Sequence, residues 1–173
     1  RALCPKDDTS VRAVLSISEK HSVVFIVERG SVVFSSSIEV GSRDFDKAVA
    51  KIFGVTEEAA RVLKHQKASQ ETEGDAKLFE AILTVSSTIR DELSKVLAYW
   101  KSQGKKEREF VDVSEVVLLG SDSMRPGFSQ YISSISKLPT RIGSVWTNTQ
   151  SPEVSLPSLH KIDSLSYAAV IGA

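Results

Sequence analysis

The sequence predicts an α/β domain in which helices pack on a mixed β-sheet. Three short strand-like runs follow one another near the N-terminus. The apolar period then changes from two residues to three and four, as in amphipathic helices. Later, the continuous apolar run SEVVLLG lies between helical segments, as expected of a buried parallel strand. A strand meander followed by alternating helices and strands is typical of a mixed sheet covered by helices.

The first three strands are predicted at 11–18, 22–29 and 31–40. Their connections are short, and Arg29 and Gly30 suit a tight turn, so we expect an antiparallel meander. The polar stretch 1–10 is interpreted as a tail or linker.

Two short helices follow, over SRDFDKAVAKIFG (42–54) and TEEAARVLKHQK (56–67). In the first helix, apolar residues recur three and four apart, which gives one buried face. The candidate capping residues are Ser42 or Asp44 at the start of the first helix, Gly54 at its end, and Thr56 at the start of the second.

The longest helix is predicted at about 78–103, followed by the strand SEVVLLG (114–120). A helix at 128–138, a strand at 139–145 and a final helix at 162–173 complete the predicted order. The connectors are the polar stretch 68–77, the charged turn 105–109 and the proline-bearing loop 147–161.

Composition limits the possible functions. The 173 residues are 41% hydrophobic and 25% charged, and 22 basic residues balance 22 acidic ones. With no net charge, the chain has no long-range field that would attract nucleic acid or an anionic membrane. The single cysteine, Cys4, cannot form an internal disulfide and suits a reducing compartment. The chain starts with Arg1 and stops within an apolar run, so we expect part of a longer protein.

The chain contains no self-sufficient catalytic motif. Its histidines His21, His65 and His160 are far apart and show no metal-ligand spacing with the cysteine. No serine stands in a nucleophile elbow, and no P-loop motif is present. The turn VVLLGSDSMRPGF (116–128) does place a glycine and small polar residues between a strand and a helix. Such a turn suits a polar or anionic ligand, although packing alone also explains the glycine.

Taken in order, these segments resemble the C-terminal half of an actin-like ATPase over about residues 11–173. The resemblance is greatest to the PilM-like family of the type IV pilus assembly platform, with the cell-division protein FtsA as its nearest relative. It rests on five stretches in the family's order: SSSIEVG leading into a helix, Ala60-Arg61-Val62-Leu63-Lys64, DELSKVLAYWKSQG, LLGSDSMRPGF and SLSYAAVIGA.

The resemblance implies an RNase H-like actin subdomain built from 11–54 and 110–173. A small helical subdomain at 55–109 would be inserted in it. The first half of the actin fold is absent from these residues. In the family, ATP lies in the cleft between the two halves.

Aligned with the family, the ATP site of this chain is mostly substituted. The phosphate hairpin D-x-G-x-x-x-T corresponds to Ser16, Ser18 and Ser22, so that only the last hydroxyl is kept. On the adenosine side, Arg61 replaces the family's ribose-binding glutamate, and Lys64 keeps the family's lysine. Of the three turn glycines only Gly120 remains, and it is followed by Ser121 and Asp122.

These substitutions predict a non-catalytic scaffold, and the resemblance implies that it would act like PilM in the cytoplasm, peripheral to the inner membrane. We expect no metal and no catalytic residue, and either no cofactor or Mg·ATP held by the degenerate site. The expected partners are other pilus or secretion platform proteins, with a homo-oligomer as a further option, and neither nucleic acid nor a membrane span. Candidate contact residues are Tyr99, Trp100 and Trp146, for which subdomain packing is the alternative role. The alternative functions are an FtsA-like actin-like ATPase and the cytoplasmic domain of a type II secretion platform protein.

Overall fold

A five-stranded mixed sheet forms the centre of the computed structural model, which describes residues 9–68, 76–104, 111–125 and 127–144. Its order is β3-β2-β1-β4-β5. The first three strands pair antiparallel, and β4 runs parallel to both β1 and β5, as predicted. The strands are β1 (Val11–Ile17), β2 (Ser22–Glu28), β3 (Ser31–Ile38), β4 (Val113–Leu119) and β5 (Thr140–Ile142).

The turn between β2 and β3 confirms the predicted tight hairpin. Arg29 and Gly30 have positive φ angles of 49° and 75°. Positive φ at both central residues is the geometry of the type I′ turn, whose twist matches that of antiparallel strands. Glu28 and Ser31 pair directly across the turn.

Four α-helices and a short 3₁₀ helix accompany the sheet. They are α1 (Ser42–Phe53), α2 (Glu57–Ala68), α3 (Ala76–Gly104), the 3₁₀ helix (Ser121–Met124) and α4 (Phe128–Ser136). Alternate residues of β1 point to the helix-covered face of the sheet, where they share one core cluster with α1, α3 and α4. Helix α3 contributes Ile82, Ile89 and Leu93 to this same core. The inserted helical subdomain at 55–109 stays a prediction.

The helix ends agree with the predicted capping residues except at one position. Ser42 is not the N-cap of α1, because Gly41 takes that place and Ser42 is the first helical residue. The Asp44 carboxylate accepts a hydrogen bond from the Gly41 N–H at 3.0 Å. At the start of α2, Thr56 Oγ1 accepts from the Ala59 N–H at 3.2 Å, as expected for an N-cap. Gly54 ends α1.

Several predicted elements lie outside the described residues. They are most of the tail 1–10, most of the connector 68–77, the charged turn 105–109, the loop 147–161, the final helix 162–173, and with them Cys4, Trp146 and His160. Within the part of the chain that is described, no helix is both long and apolar enough to span a bilayer.

The opposite face of the sheet carries three charged side chains on neighbouring strands. Glu115 of β4 accepts a hydrogen bond from Arg12 of β1. It also accepts two from Arg141 of β5, at 2.9 and 3.2 Å. Desolvation alone would raise the pKa of Glu115, but the hydrogen bonds from Arg141 and Arg12 outweigh it, so this pKa is lowered. The carboxylate therefore joins three strands through its charged form.

We expect Glu115→Gln to destabilise the fold in a pH-dependent way. A carboxyl whose pKa is lowered on folding stabilises the folded state fully at pH values above its ordinary pKa of 4.5. This stabilisation is lost as the pH falls from 4.5 through the lower pKa of the folded chain. The loss at pH 7 should be about 1–2 kcal/mol, since Arg141 is partly solvated. Urea unfolding at pH 7 and at pH 3.5 measures it.

Glu57→Gln is the matched control, because Glu57 pairs with Arg43 at 3.8 Å between side chains that are half exposed. Its effect should stay under about 0.5 kcal/mol. An equal loss of unfolding free energy for Glu115→Gln at pH 7 and pH 3.5 would show that the charged form of Glu115 is not what stabilises the fold.

Candidate functional site

Two of the predicted site segments meet where β1 and β4 end. The two strands are parallel neighbours, so their carboxyl ends lie at the same edge of the sheet. Ser16 pairs with Leu119, which brings the hairpin after β1 next to the glycine turn after β4. The structure thus brings the end of β1, at Ser16 and Ile17, next to Gly120.

Gly120 has a structural reason to be glycine. Its φ of 96° and ψ of 153° lie in a region that only glycine readily adopts. A Cβ placed there would lie 2.1 Å from the Ile17 carbonyl oxygen. The retained glycine is therefore explained by the close approach of two strand ends, and by itself it does not indicate a nucleotide.

The hairpin turn at 18–21 is fixed to the start of α1. The Ser42 N–H donates to the Ser18 carbonyl at 2.8 Å, and the Arg43 N–H donates to the Glu19 carbonyl at 3.0 Å. Gly41 packs so closely that a Cβ there would lie 2.5 Å from the Glu19 oxygen. Helix N-termini carry N–H groups that suit anions, but here two of these groups bind the turn itself.

The three serines of the predicted phosphate hairpin differ in their surroundings. Ser22 is fully buried, and its Oγ donates to the Val40 carbonyl at 2.7 Å. Ser18 is exposed, while Ser16 is half-buried on β1. The Ser22 hydroxyl proton thus ties the start of β2 to the end of β3, and none of the three side chains supplies a carboxylate for a metal.

A buried ion pair occupies the turn after Gly120. Asp122 and Arg125 are 3% and 5% exposed. Arg125 Nη2 lies 2.6 Å from Asp122 Oδ1, and Arg125 Nε donates to the same oxygen at 3.2 Å. The guanidinium carbon stands 4.0 Å from the centre of the Phe45 ring, in a cation–π contact. Asp122 thus pairs with a cation of its own turn.

Helix α1 brings a second carboxylate to this arginine. Asp46 follows Phe45 in the helix and is 2% exposed. Burial lowers the pKa of Arg125, and the charges of Asp122 and Asp46 oppose that effect. Arginine stays protonated in proteins even so. We refer to Asp46, Asp122 and Arg125 as the buried charge cluster.

Arg61 connects the buried charge cluster to helix α2. Its Nε lies 3.5 Å from Asp46 Oδ2, and its side chain is 50% exposed. Asp122 and Arg125 thus form one ion pair, and Asp46 and Arg61 form another. Of the predicted adenosine-side residues, Arg61 and Asp122 each belong to one of these pairs. Lys64 lies in α2, and Ser121 begins the 3₁₀ helix.

The sequence did not reveal the cation–π contact between Arg125 and Phe45. It also did not reveal that the charged side chains of Asp46 and Arg125 are buried. One signal for Asp46 was available, because it stands three residues before Val49, a core residue of α1, and so borders the buried face. Among the described residues there is no group of three or more histidine, cysteine, aspartate or glutamate side chains that could hold a metal ion.

No protein-family model matches the sequence, and no curated protein matches it significantly. Solved structures do match in shape. The PilM–PilN type IV pilus biogenesis complex gives a TM-score of 0.75 at 17% identity, over 95% of this chain and 45% of the other. MreB5 of Spiroplasma citri bound to ADP gives 0.67 at 15% identity, over 99% and 54%. A non-polymerisable ParM mutant gives 0.55 at 12% identity, over 80% and 43%. The chain thus has an actin-like ATPase fold and spans about half the length of these proteins.

Proposed function

We propose that this chain, although it has the fold of actin-like ATPases, is a non-catalytic scaffold domain that works without nucleotide. The Asp122–Arg125 ion pair carries this proposal. It lies in the turn that the family resemblance assigns to adenosine, with the two charged groups 2.6 Å apart and both side chains buried. The turn thus uses its charges within the domain.

The residues at the predicted ATP site fit Mg·ATP poorly. The Asp122 carboxylate would repel nearby phosphate oxygens unless a metal ion lay between them, and Arg125 already pairs with it at 2.6 Å. Ser16 provides no carboxylate to orient a metal and its waters, and the removal of such a group costs several kcal/mol of transition-state stabilisation. Arg61, in the place of the ribose-binding glutamate, is paired with Asp46. Each of these observations argues against turnover of ATP at this site.

The proposed setting is a pilus or secretion platform on the cytoplasmic side of the inner membrane, with other platform proteins or a second copy as partners. The similarity to a PilM–PilN complex supports this setting. Tyr99 of α3 is a candidate contact residue, because it is 46% exposed and lies 4.9 Å from Phe34, measured between ring centres. Trp100 packs against the core and donates from Nε1 to the Val111 carbonyl at 3.2 Å, which favours its packing role.

A second candidate function is an actin-like ATPase with an unusual nucleotide site. The similarity to MreB5 structures bound to ADP and to AMPPNP favours it. The two candidates differ in one measurable property, the binding of Mg·ATP.

Calorimetric titration of Mg·ATP into the full-length natural protein that contains these residues distinguishes the two. We expect no binding heat up to about 1 mM nucleotide, which corresponds to less than about 4 kcal/mol of binding free energy. Partner capture from a lysate should likewise be the same with and without Mg·ATP. Binding at micromolar nucleotide would overturn the proposal that the domain works without nucleotide, and a hydrolysis assay would then test the ATPase candidate.

A further inference from the structure

We propose that two copies of this chain join edge to edge, through antiparallel pairing of strand β3 with β3 of a second copy. The inference rests on the proposed scaffold role for its choice of partner, but it does not depend on whether nucleotide binds. Three features of β3 support it: an open edge, a sequence without charge, and opposite charges just beyond its two ends.

The outer edge of β3 is open to another strand. Within the described sheet β3 is the outermost strand and pairs with β2 alone. Its outer side therefore presents main-chain N–H and C=O groups that no strand of this sheet engages. Val32 and Val33 on this strand are 60% and 47% exposed. An extended strand is the partner that satisfies such a row of groups, by continuing the sheet.

The sequence of β3 does little to prevent such pairing. Charged residues and prolines commonly protect sheet edges, and SVVFSSSI contains neither. The register with β2 shifts at Val33, and a bulge of this kind bends a strand locally. From Phe34 to Ile38 the register with β2 is regular over five consecutive pairs. A second strand therefore has a regular, uncharged stretch of edge to pair with.

The charges beyond the two ends of β3 indicate that the partner strand is a second copy. Arg29 precedes the strand and Glu39 follows it, and both are exposed. Antiparallel pairing about a two-fold axis near the middle of β3 places the start of each strand beside the end of the other. Arg29 of each copy then lies next to Glu39 of the other. Glu28 is at the same end as Arg29, but it belongs to β2 and is half-buried.

Phe34 and Tyr99 supply apolar surface near the same axis. Phe34 is in the middle of β3, and its ring centre lies 4.9 Å from that of the exposed Tyr99 in α3. In an antiparallel strand pair the two-fold axis is perpendicular to the sheet, so the two copies of this ring pair lie on the same face. Two paired strands alone are marginally stable, and side-chain packing across the axis adds to them.

Sedimentation velocity of the full-length natural protein that contains these residues, without added nucleotide, tests the proposal. We expect a dimer at about 10–100 μM chain. Val33→Lys should weaken it about tenfold, because two lysines would face each other near the axis. Val62→Lys is the matched control, since Val62 is 51% exposed but lies on α2. This control should dimerise like the unmodified protein.

Reversal of the end charges tests the antiparallel arrangement. Arg29→Glu would place two acidic side chains next to each other at both ends of the pair, and should weaken the dimer about threefold to tenfold. Combining Arg29→Glu with Glu39→Arg restores opposite charges and should recover the affinity. A double variant that dimerises no better than Arg29→Glu would overturn the pairing of β3 with β3.

The oligomeric state gives the other decisive results. A monomer at about 100 μM would overturn the proposal and leave the edge to an extended segment of another protein. A dimer that Val33→Lys leaves intact would also overturn it. The proposed function fails separately: a dimer that binds Mg·ATP would contradict the nucleotide-free scaffold but keep the β3 pairing. A monomer that binds no Mg·ATP would contradict the pairing and keep the scaffold.

Discussion

Gly120→Ala is expected to destabilise the fold by about 3–5 kcal/mol. Alanine pays the strain of a backbone region reserved for glycine, and its Cβ would meet the Ile17 carbonyl at 2.1 Å. Relief would require β1 and β4 to separate where they end. Urea unfolding followed by far-UV circular dichroism measures the loss.

Gly30→Ala is the matched control for this experiment. Gly30 also has a positive φ, 75°, but a Cβ there would have no atom within 4 Å. Its cost should be the strain alone, about 1–2 kcal/mol. If both alanine variants unfold at the same urea concentration, the contact with Ile17 is not the reason for glycine at 120.

Arg125→Met should cost about 3–5 kcal/mol, because it removes the cation that pairs with the buried Asp122 carboxylate at 2.6 Å. Methionine keeps most of the volume next to Phe45, so the loss reports charge more than packing. The measurement is again urea unfolding at pH 7, and a loss below about 1 kcal/mol would mean that the cluster is solvated.

The double variant Asp122→Asn with Arg125→Met separates the charge effect from a packing defect. Removing both members of a buried pair often costs much less than removing one. We therefore expect the double variant to recover about half of the stability lost in Arg125→Met. A double variant no more stable than the single one would assign the loss to packing around Phe45.

The elements of the fold were predictable because each has a local signal. The meander was recognisable from apolar runs separated by turn residues, and the parallel strand β4 from its continuous apolar sequence. The error at the start of α1 has a simple cause. Ser42 is the better N-cap by propensity, but the Ser18 and Glu19 carbonyls of the hairpin turn accept hydrogen bonds from the Ser42 and Arg43 N–H groups, so the helix begins at Ser42 without a side-chain cap. That contact joins residues distant in sequence, so local patterns do not carry it.

The composition of the candidate site was not predictable from local patterns. Alignment of LLGSDSMRPGF with a family motif located a glycine turn, and in the structure this turn packs against Ile17. The buried charge cluster was not foreseen, because aspartate and arginine are rarely fully buried. Only the fold shows that Arg125 stacks on Phe45. These two residues are far apart in the sequence, and packing of α1 against the turn after β4 brings them together.

The position of β1 in the sheet has a consequence for synthesis on the ribosome. One neighbour of β1 is β2, which follows directly in the sequence. The other is β4, so the partner of Val11 in that strand, Val113, is synthesised about a hundred residues later. At roughly 5–20 residues per second, the nascent meander exists for on the order of ten seconds with its future central strand as an open edge. That edge carries the apolar sequence VRAVLSI. During this interval it can pair with other nascent chains, and we expect yields to depend on translation speed and on chaperones that cover extended apolar segments.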